Sequence, residues 1–268
     1  MPNSECAPAS VTALPEAGDA ERARARFQAA LDPYVDPDWA ILKNKVHART
    51  QGELDTSEVA LVLVRTLELV EQPVQGLFDL SHLQAIHQHL FQDVYPFAGE
   101  LRTVDIRKAD DPSGGFMPVS RLLDAATYVF SELKAENYLR ALATEPYVGR
   151  LGHYLDEVNH LHPFREGNGR TQRIFFSQLA GGAGHTIDWT QLTVELNNSA
   201  SKAGEAALID MLRPIVSAST EPTYEATAAN LLRAGNAFSN PLDRSSPRTA
   251  TPTRHEPPSA GAGPSMRR

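Results

Sequence analysis

The run from His162 to Arg173 combines, within twelve positions, the groups that phosphate chemistry requires. Gly167-Asn168-Gly169 lacks bulk and tolerates unusual backbone angles, and an apolar helical pattern follows it. A glycine-rich turn that leads into a helix presents unpaired N–H groups and the positive end of the helix dipole. The spacing therefore predicts an anion site suited to phosphate.

Charged side chains in the same run complete such a site. Arg170 and Arg173 lie three residues apart, on one side of the first helical turn, where two guanidinium groups can hold phosphate oxygens. Glu166 adds a carboxylate, the ligand that a hard cation such as Mg²⁺ prefers. His162 is the nearby group that takes up a proton near neutral pH. Together these residues indicate nucleotidyl or phosphoryl transfer.

Two helices must position this run. The segment from Val148 to Leu161 carries apolar residues at helical spacing, which predicts an amphipathic helix. Pro163 cannot continue that helix, so His162 is expected on a loop at the helix end. A second apolar helix is expected from Gly169 to Leu179.

The full run resembles the signature of the Fic family, H-x-F-x-[DE]-G-N-G-R-x-x-R, and every fixed position is filled. A match of this length is far more specific than a short glycine pattern. The likeness runs from about Tyr34 to about Leu212 and includes the segment from Phe91 to Ile106. It implies an all-α, Fic-type helical domain with a β-hairpin flap over the active site.

The resemblance also implies a role for each motif residue. His162 would be the base that deprotonates the attacking hydroxyl of a target side chain, and Glu166 would bind Mg²⁺. An ion pair inside the helix bundle is the alternative role for Arg173. The phosphates of ATP would be held by Gly167, Asn168, Gly169, Arg170 and Arg173.

The other residues of the motif are expected to be structural. Phe164 is predicted to lie in the core and to point the opposite way from His162. Pro163 and Arg165 are predicted to be structural and to face solvent.

A β-hairpin is predicted from Leu101 to Met117, and this stretch matches the position of the family's flap, the name kept for it below. Its first arm is rich in β-branched residues, and the cluster from Asp110 to Gly115 is typical of a turn. The resemblance implies that the flap edge pairs with an extended segment of the target protein. An ordinary surface hairpin is the alternative, and either would be the only sheet in a helical chain. The target-binding positions would be Thr103, Val104, Asp105 and Ile106.

The chain is predicted to have three parts. Residues 1–26 form a flexible segment, residues 27–238 the Fic domain with flanking helices, and residues 239–268 a disordered basic tail. Besides the two motif helices, helical patterns cover Asp19–Leu31, Ser57–Glu71, a segment capped by Asp79 or Ser81, Leu122–Leu142, Gln191–Ser201, Glu205–Leu212 and Tyr224–Phe238.

Composition and charge narrow the class of protein. A hydrophobic content of 41% over 268 residues suffices for a buried core, and the net charge of −8 disfavours a nucleic-acid binder. The single cysteine, Cys6, excludes a disulfide framework and fits a reducing compartment. No apolar run is long enough to span a membrane, and the first 18 residues lack a secretory signal pattern. A cytoplasmic protein is expected, with delivery into another cell as an open alternative.

The resemblance implies a protein adenylyltransferase, which transfers AMP from Mg-ATP to a Tyr, Thr or Ser hydroxyl of a target protein. One alternative keeps the fold but uses GTP, CTP, UTP or a phosphocholine nucleotide as donor. Another is a non-catalytic nucleotide-binding module. A DNA-binding regulator is disfavoured because the body of the chain is acidic.

The mode of regulation is predicted from the absence of a complete inhibitory-helix motif in the sequence. Many Fic proteins are silenced by a helix bearing [ST]-x-x-x-E-[GN], whose glutamate pairs with the second motif arginine. Thr12–Glu16, Ser201–Glu205 and Ser217–Glu221 have the spacing but lack the final residue. We therefore expect a chain without an internal inhibitor, of the toxin-antitoxin class that a small antitoxin-like protein holds in check.

Overall fold

A computed structural model of the chain describes residues 30–107 and 115–219, together with positions 23, 26, 27, 228, 230 and 232. Its α-helices with complete boundaries are α1 Gln51–Glu71, α2 Leu80–Phe91, α3 Val119–Ala135, α4 Thr144–Leu161, α5 Asn168–Ala183, α6 Val194–Ala203 and α7 Glu205–Leu212. Single-turn 3₁₀ helices lie at Asn137–Leu139 and Trp189–Gln191, and two short strands are β1 His185–Ile187 and β2 Val216–Ala218. The all-α prediction for the fold is confirmed.

Side-chain caps determine where the first two helices begin. Thr50 and Glu53 form a capping box, in which each side chain accepts the other's backbone N–H. This box starts α1 six residues before the predicted Ser57. Asp79 caps α2 by accepting the N–H of His82 at 2.8 Å, as one of the two predicted caps.

The helix that carries the motif, α5, is fixed by aromatic packing. Phe175 is fully buried in the middle of α5. Its ring meets those of Phe78, before α2, and Phe130, on α3, edge to face. Edge-to-face aromatic pairs add directional preference to the burial of apolar surface. The motif helix therefore has a defined orientation against its neighbours.

The prediction that the flap would be the only sheet was wrong, because the described residues form a two-stranded sheet outside the flap. Strands β1 and β2 pair antiparallel, with Thr186 opposite Ser217. In the flap, the described residues form one isolated antiparallel bridge, between Arg107 and Gly115. Residues 108–114 fall outside the described part of the chain. The described residues of the two flap arms make hydrogen bonds to the body of the domain.

The remaining helix predictions are close in position at their starts, but the helix predicted to reach Leu142 ends at Ala135. The helix predicted from Leu122 begins at Val119, that from Gln191 begins at Val194, and Glu205–Leu212 is confirmed. The predicted helices at both termini fall mostly outside the described residues, and so do most of the two predicted terminal segments. Within the part of the chain that the structure describes, no helix has the length and apolarity needed to cross a bilayer.

Candidate active site

The motif forms the connection between α4 and α5, and His162 lies at its start. His162 adopts left-handed backbone angles, with φ 44° and ψ 59°, which are uncommon for a residue with a side chain. Its N–H still bonds to the carbonyl oxygen of Val158 at 3.1 Å. The chain therefore turns sharply at His162, and the predicted loop position is confirmed.

Two contacts orient the imidazole of His162. The ring stacks on that of Phe116, with centroids 3.6 Å apart and planes at 14°. Nδ1 lies 3.3 Å from the carbonyl oxygen of Asn159. A proton on Nδ1 that faces this carbonyl leaves Nε2 as the proton acceptor, which is the tautomer that a general base needs.

The N-terminus of α5 has the backbone geometry of an anion site. Gly167 precedes the helix with φ +78°. A Cβ at this position would come within 2.4 Å of the Phe91 ring, so only glycine fits. The first backbone bond of the helix runs from the N–H of Thr171 to the carbonyl of Gly167. The N–H groups of residues 168–170 thus have no acceptor within the helix and are available to phosphate.

The side chain of Asn168 closes the loop. Its Oδ1 accepts the N–H of Phe164 at 2.8 Å, and its Nδ2 donates to the carbonyl of the same residue at 2.7 Å. Asn168 would therefore contact a phosphate through its backbone N–H. Phe164 lies in the core as predicted, with its ring stacked on that of His87.

Arg170 and Arg173 occupy different environments, although their spacing predicts one shared site. Arg170 Nη1 lies 2.6 Å from a carboxylate oxygen of Glu58, and the guanidinium stacks over Phe91. Its Nη2 lies 3.5 Å from the carboxylate of Glu166. Arg170 therefore forms a buried ion pair inside the helix bundle. This is the alternative role that was predicted from the sequence for Arg173.

Arg173 instead turns toward the start of its own helix. A Cβ placed at Gly169 would meet Arg173 Nη1 at 3.2 Å, so the guanidinium covers this exposed glycine. The charge therefore lies beside the N–H groups of the first turn of α5. This is the geometry expected of a phosphate-binding arginine.

A neutral histidine beneath the loop supports Glu166. The N–H of Gly99 donates to His87 Nδ1 at 2.7 Å, so Nε2 carries the proton and donates to the carbonyl of Glu166 at 3.0 Å. Burial, followed by the charge of Arg170, lowers the pKa of His87 to about 3, although Glu58 opposes this shift. His87 therefore connects the backbone before the flap to the acidic residue of the motif.

The prediction that Arg165 and Pro163 face solvent was wrong. Arg165 is buried, and its Nε and Nη2 donate to one carboxylate oxygen of Asp32 at 2.9 and 2.7 Å. Pro163 is also buried, and its carbonyl accepts the N–H of Arg102 at 2.8 Å. Both residues turn inward because the segment before α1 and the first flap arm cover the loop and supply the partners.

Two of the predicted target-binding residues use a backbone group within the molecule. The N–H of Thr103 donates to the hydroxyl of Tyr34 at 3.0 Å. The carbonyl of Val104 accepts from Arg102 at 2.9 Å. Pairing of this arm with a target segment must therefore use the other backbone groups.

Asp105 and Ile106 continue the same arm toward the flap tip. The Asp105 carboxylate accepts the N–H of Val119 at 2.8 Å, which ties the arm to the start of α3. Ile106 is half-buried and precedes the bridge of Arg107 with Gly115. The four predicted residues thus lie together on one arm, next to the motif loop.

Three residues that complete the site were not predicted: Asp32, Glu58 and Arg102. A signal existed for Glu58, which lies on the same helical stripe as Leu54 and Val62 and places a charge on an apolar face. Asp32 and Arg102 carry no such local signal, because their partners lie far away in the sequence.

Comparisons with known proteins identify relatives of this chain. Residues 77–180 match the Fic/DOC family. The chain is 39% identical over 167 residues to Protein adenylyltransferase VbhT of Bartonella schoenbuchensis, over 62% of this chain and 34% of that protein. It is 36% identical over 193 residues to Probable protein adenylyltransferase Fic of Escherichia coli K12, over 72% of this chain and 94% of that protein.

A solved structure shares the fold. It is the N-terminal Fic domain of a VirB-translocated Bep effector protein from Bartonella quintana, with bound ADP. The TM-score is 0.67 at 25% identity, over 70% of this chain and 96% of that one. The chain therefore matches nearly all of the Escherichia coli protein and of this domain, but about a third of VbhT.

Proposed function

The chain belongs to the Fic/DOC family, and on that premise we propose that it is a protein adenylyltransferase, which transfers AMP from ATP to a hydroxyl group of a target protein. The observation that carries the proposal is the position of His162, which ends α4 directly before the open N-terminus of α5. The proposed base and the N–H groups proposed to bind phosphate thus lie at the two ends of one short loop. Two relatives, 39% identical over 167 aligned residues and 36% identical over 193, are named Protein adenylyltransferase and Probable protein adenylyltransferase.

The residues of the chain support an in-line transfer. The N–H groups of residues 168–170 and the guanidinium of Arg173 hold the phosphates and stabilise the charge that develops on their oxygens. Nε2 of His162 takes the proton of the target hydroxyl while that oxygen bonds to the α-phosphorus. The bond from the α-phosphorus to the bridging oxygen breaks, and pyrophosphate leaves. Positioning supplies much of the rate, because the reactants are held together.

The residues around Glu166 fit a magnesium ion that is shared with the nucleotide. Mg²⁺ in such sites is bound by one or two carboxylates together with substrate phosphates. Among the residues that the structure describes, no group of three or more His, Cys, Asp or Glu forms a site made by protein alone. Glu166 has the longer contact of the two carboxylates at Arg170, 3.5 Å against 2.6 Å for Glu58. Bound there, the ion would neutralise charge on the phosphate oxygens.

The flap is the proposed binding surface for the target. Its first arm, with Thr103 to Ile106, runs beside the motif loop and is fixed to the domain at Tyr34 and Val119. A target segment paired along this arm would be aligned by main-chain hydrogen bonds with little demand on its sequence. The hydroxyl would then be presented to His162.

Control by a separate small inhibitor protein is the proposed regulation. In the segment Ser201–Glu205, the carboxylate of Glu205 contacts His153 at 2.8 Å, on α4. The other two segments with the inhibitory spacing end or lie outside the described residues. The full chain should therefore transfer AMP without removal of either terminus. Truncations that sharply raise activity would contradict this proposal.

A transfer assay tests the function. The full chain is incubated with Mg²⁺ and α-³²P-labelled ATP, GTP, CTP or UTP, in lysate and alone, beside His162→Ala. Label from ATP that requires His162 is the expected result, with a loss of about 10²- to 10⁴-fold in the variant. Label from another nucleotide would keep the mechanism and change the donor. Binding of Mg-ATP without any transfer would favour a non-catalytic nucleotide-binding module.

A further inference from the structure

The buried guanidinium of Arg102 joins the flap to residues 162–167, the connection between α4 and α5, which is called the catalytic loop from here on. The side chain of Arg102 is fully buried. Its Nε donates to the carbonyl of His162 at 2.8 Å, and its Nη1 donates to that of Val104 at 2.9 Å. Its Nη2 donates to the carbonyls of Leu161, at 3.3 Å, and of Met117.

The four carbonyl groups belong to three separate pieces of backbone. Leu161 and His162 end α4, Val104 lies on the first flap arm, and Met117 lies on the second. The planar guanidinium suits this task because it presents five N–H donors in fixed directions. A cation at the C-terminal end of α4 is also favoured by the helix dipole. Arg102 therefore clamps both arms of the flap to the backbone of the base.

Backbone hydrogen bonds also join the two flap arms to the residues around His162. The N–H of Arg102 donates to the carbonyl of Pro163 at 2.8 Å, and the N–H of Met117 donates to that of His160 at 2.9 Å. Each flap arm thus has its own main-chain bond next to His162, one to the loop after it and one to the last turn of α4. The guanidinium ties the two arms to each other through Val104 and Met117.

The side chain of the base is held from the second arm. Phe116 precedes Met117 and stacks on the imidazole of His162 at 3.6 Å. The backbone of His162 is held at its left-handed angles by Arg102, while its ring is held by Phe116. The flap thereby controls both the position and the orientation of the base.

Resting on the adenylyltransferase function proposed above, we propose that Arg102 is a positioning residue that holds the flap and His162 as one unit. A target segment bound along the flap then presents its hydroxyl at a fixed distance from Nε2. Arg102 acts on the transfer step, through His162, and makes no contact with the nucleotide. A purely structural arginine would affect folding and nucleotide binding as well.

The variant Arg102→Lys tests this role, because lysine offers one charge but cannot bridge four carbonyls. Arg121→Lys is the matched control, since Arg121 is exposed on α3. The expected kcat of Arg102→Lys is about 10- to 100-fold lower, as for a small misplacement of reacting groups. ATP affinity should be unchanged in both variants. An unchanged kcat, or a parallel loss of ATP affinity, would overturn the proposal.

A double-mutant cycle separates a shared role from two independent ones. Phe116→Leu removes the ring stack and leaves the carbonyl contacts of Arg102 in place. If both residues act through the placement of His162, the double variant should lose much less than the product of the two single losses in kcat. Losses that multiply would show that Arg102 and Phe116 act separately, against the proposal.

A readout without turnover keeps the clamp testable if the function is wrong. Amide hydrogen exchange in the nucleotide-free protein should become faster at residues 101–107 and 160–163 in Arg102→Lys, and stay unchanged in Arg121→Lys. Should the wild-type chain transfer no nucleotide, the proposed function fails, and faster exchange still supports the clamp. Unchanged exchange contradicts the clamp in either case. If Arg102→Lys does not fold, Arg102→Gln, whose amide can still donate to some of the same carbonyls, carries the same kcat and exchange measurements.

Discussion

Glu58 and Arg170 form a buried ion pair beneath the catalytic loop, with 2.6 Å between their charged atoms and side chains that are 0% and 5% exposed. The hydroxyl of Tyr95 also donates to the Glu58 carboxylate. A buried charge is tolerated only when it is paired and hydrogen-bonded. The first motif arginine thus compensates a carboxylate of α1, and this pairing fixes the start of α5.

The variant Glu58→Gln should be strongly destabilised. The amide can still accept from Tyr95, but Arg170 loses its close buried carboxylate and keeps only the longer contact with Glu166. The expected loss is about 3–5 kcal/mol in the free energy of unfolding, measured by urea denaturation. Glu68→Gln, in the partly exposed pair with Arg65, is the control and should lose at most about 1 kcal/mol. Equal losses in the two variants would show that the buried pair has no special weight.

The two motif arginines should separate into a phosphate ligand and a structural residue. Arg173→Ala removes the guanidinium that covers Gly169, so ATP affinity should fall about 10- to 100-fold, the range for hydrogen bonds to charged groups. Arg173 is 4% exposed, so this variant should also lose some stability, but its melting temperature should fall less than that of Arg170→Ala. Arg170→Ala should chiefly lower the melting temperature. Calorimetric titration with Mg-ATP and thermal unfolding distinguish the two, and the reverse pattern would refute the assignment.

Gly167→Ala should destabilise the protein for two reasons. The added methyl group would overlap the ring of Phe91, and residue 167 has a positive φ. Overpacking costs about 1–3 kcal/mol, and the left-handed backbone adds about 1–2 kcal/mol. Gly149→Ala is a matched control inside α4, where no atom lies within 4 Å of the added carbon. The control should gain about 0.5–1 kcal/mol from better helix propensity. Chemical denaturation measures the free energy of unfolding of both variants. A Gly167→Ala variant as stable as the wild type would mean that the Phe91 ring moves aside.

His87 should make stability depend on pH. Its pKa is lowered to about 3 in the folded protein, whereas an unfolded histidine titrates near 6.5. Between these values the unfolded chain binds the extra proton, so the stabilisation present above pH 6.5 is lost as the pH falls. The slope is at most about 1.4 kcal/mol per pH unit.

Denaturation of the wild type and His87→Gln at pH 7 and pH 5 isolates this contribution. Glutamine can accept from Gly99 and donate to Glu166, but it does not titrate. The wild type should lose more stability than the variant over this interval. Identical losses would show that His87 is not the group responsible.

The sequence predicts the part of the site that is local in the chain. The turn at His162, the glycine at the start of α5 and the core position of Phe164 follow from neighbouring residues. The partner of Arg170 does not, because Glu58 lies on another helix and meets it only after packing. The same holds for Arg165, which was predicted to face solvent, because its partner Asp32 lies 133 positions away in the sequence. Strands of three residues, such as β1 and β2, are too short for a period of two to be recognised.

The pair of Asp32 and Arg165 joins positions 133 residues apart, and it closes over the catalytic loop. Such a contact is made late, because the entropy of closing so long a loop must be overcome before the contact contributes anything. On the ribosome, Asp32 emerges well before Arg165 exists. The loop that carries His162 therefore stays unlocked in a nascent chain until Arg165 has been made, and the order of synthesis itself delays completion of the site.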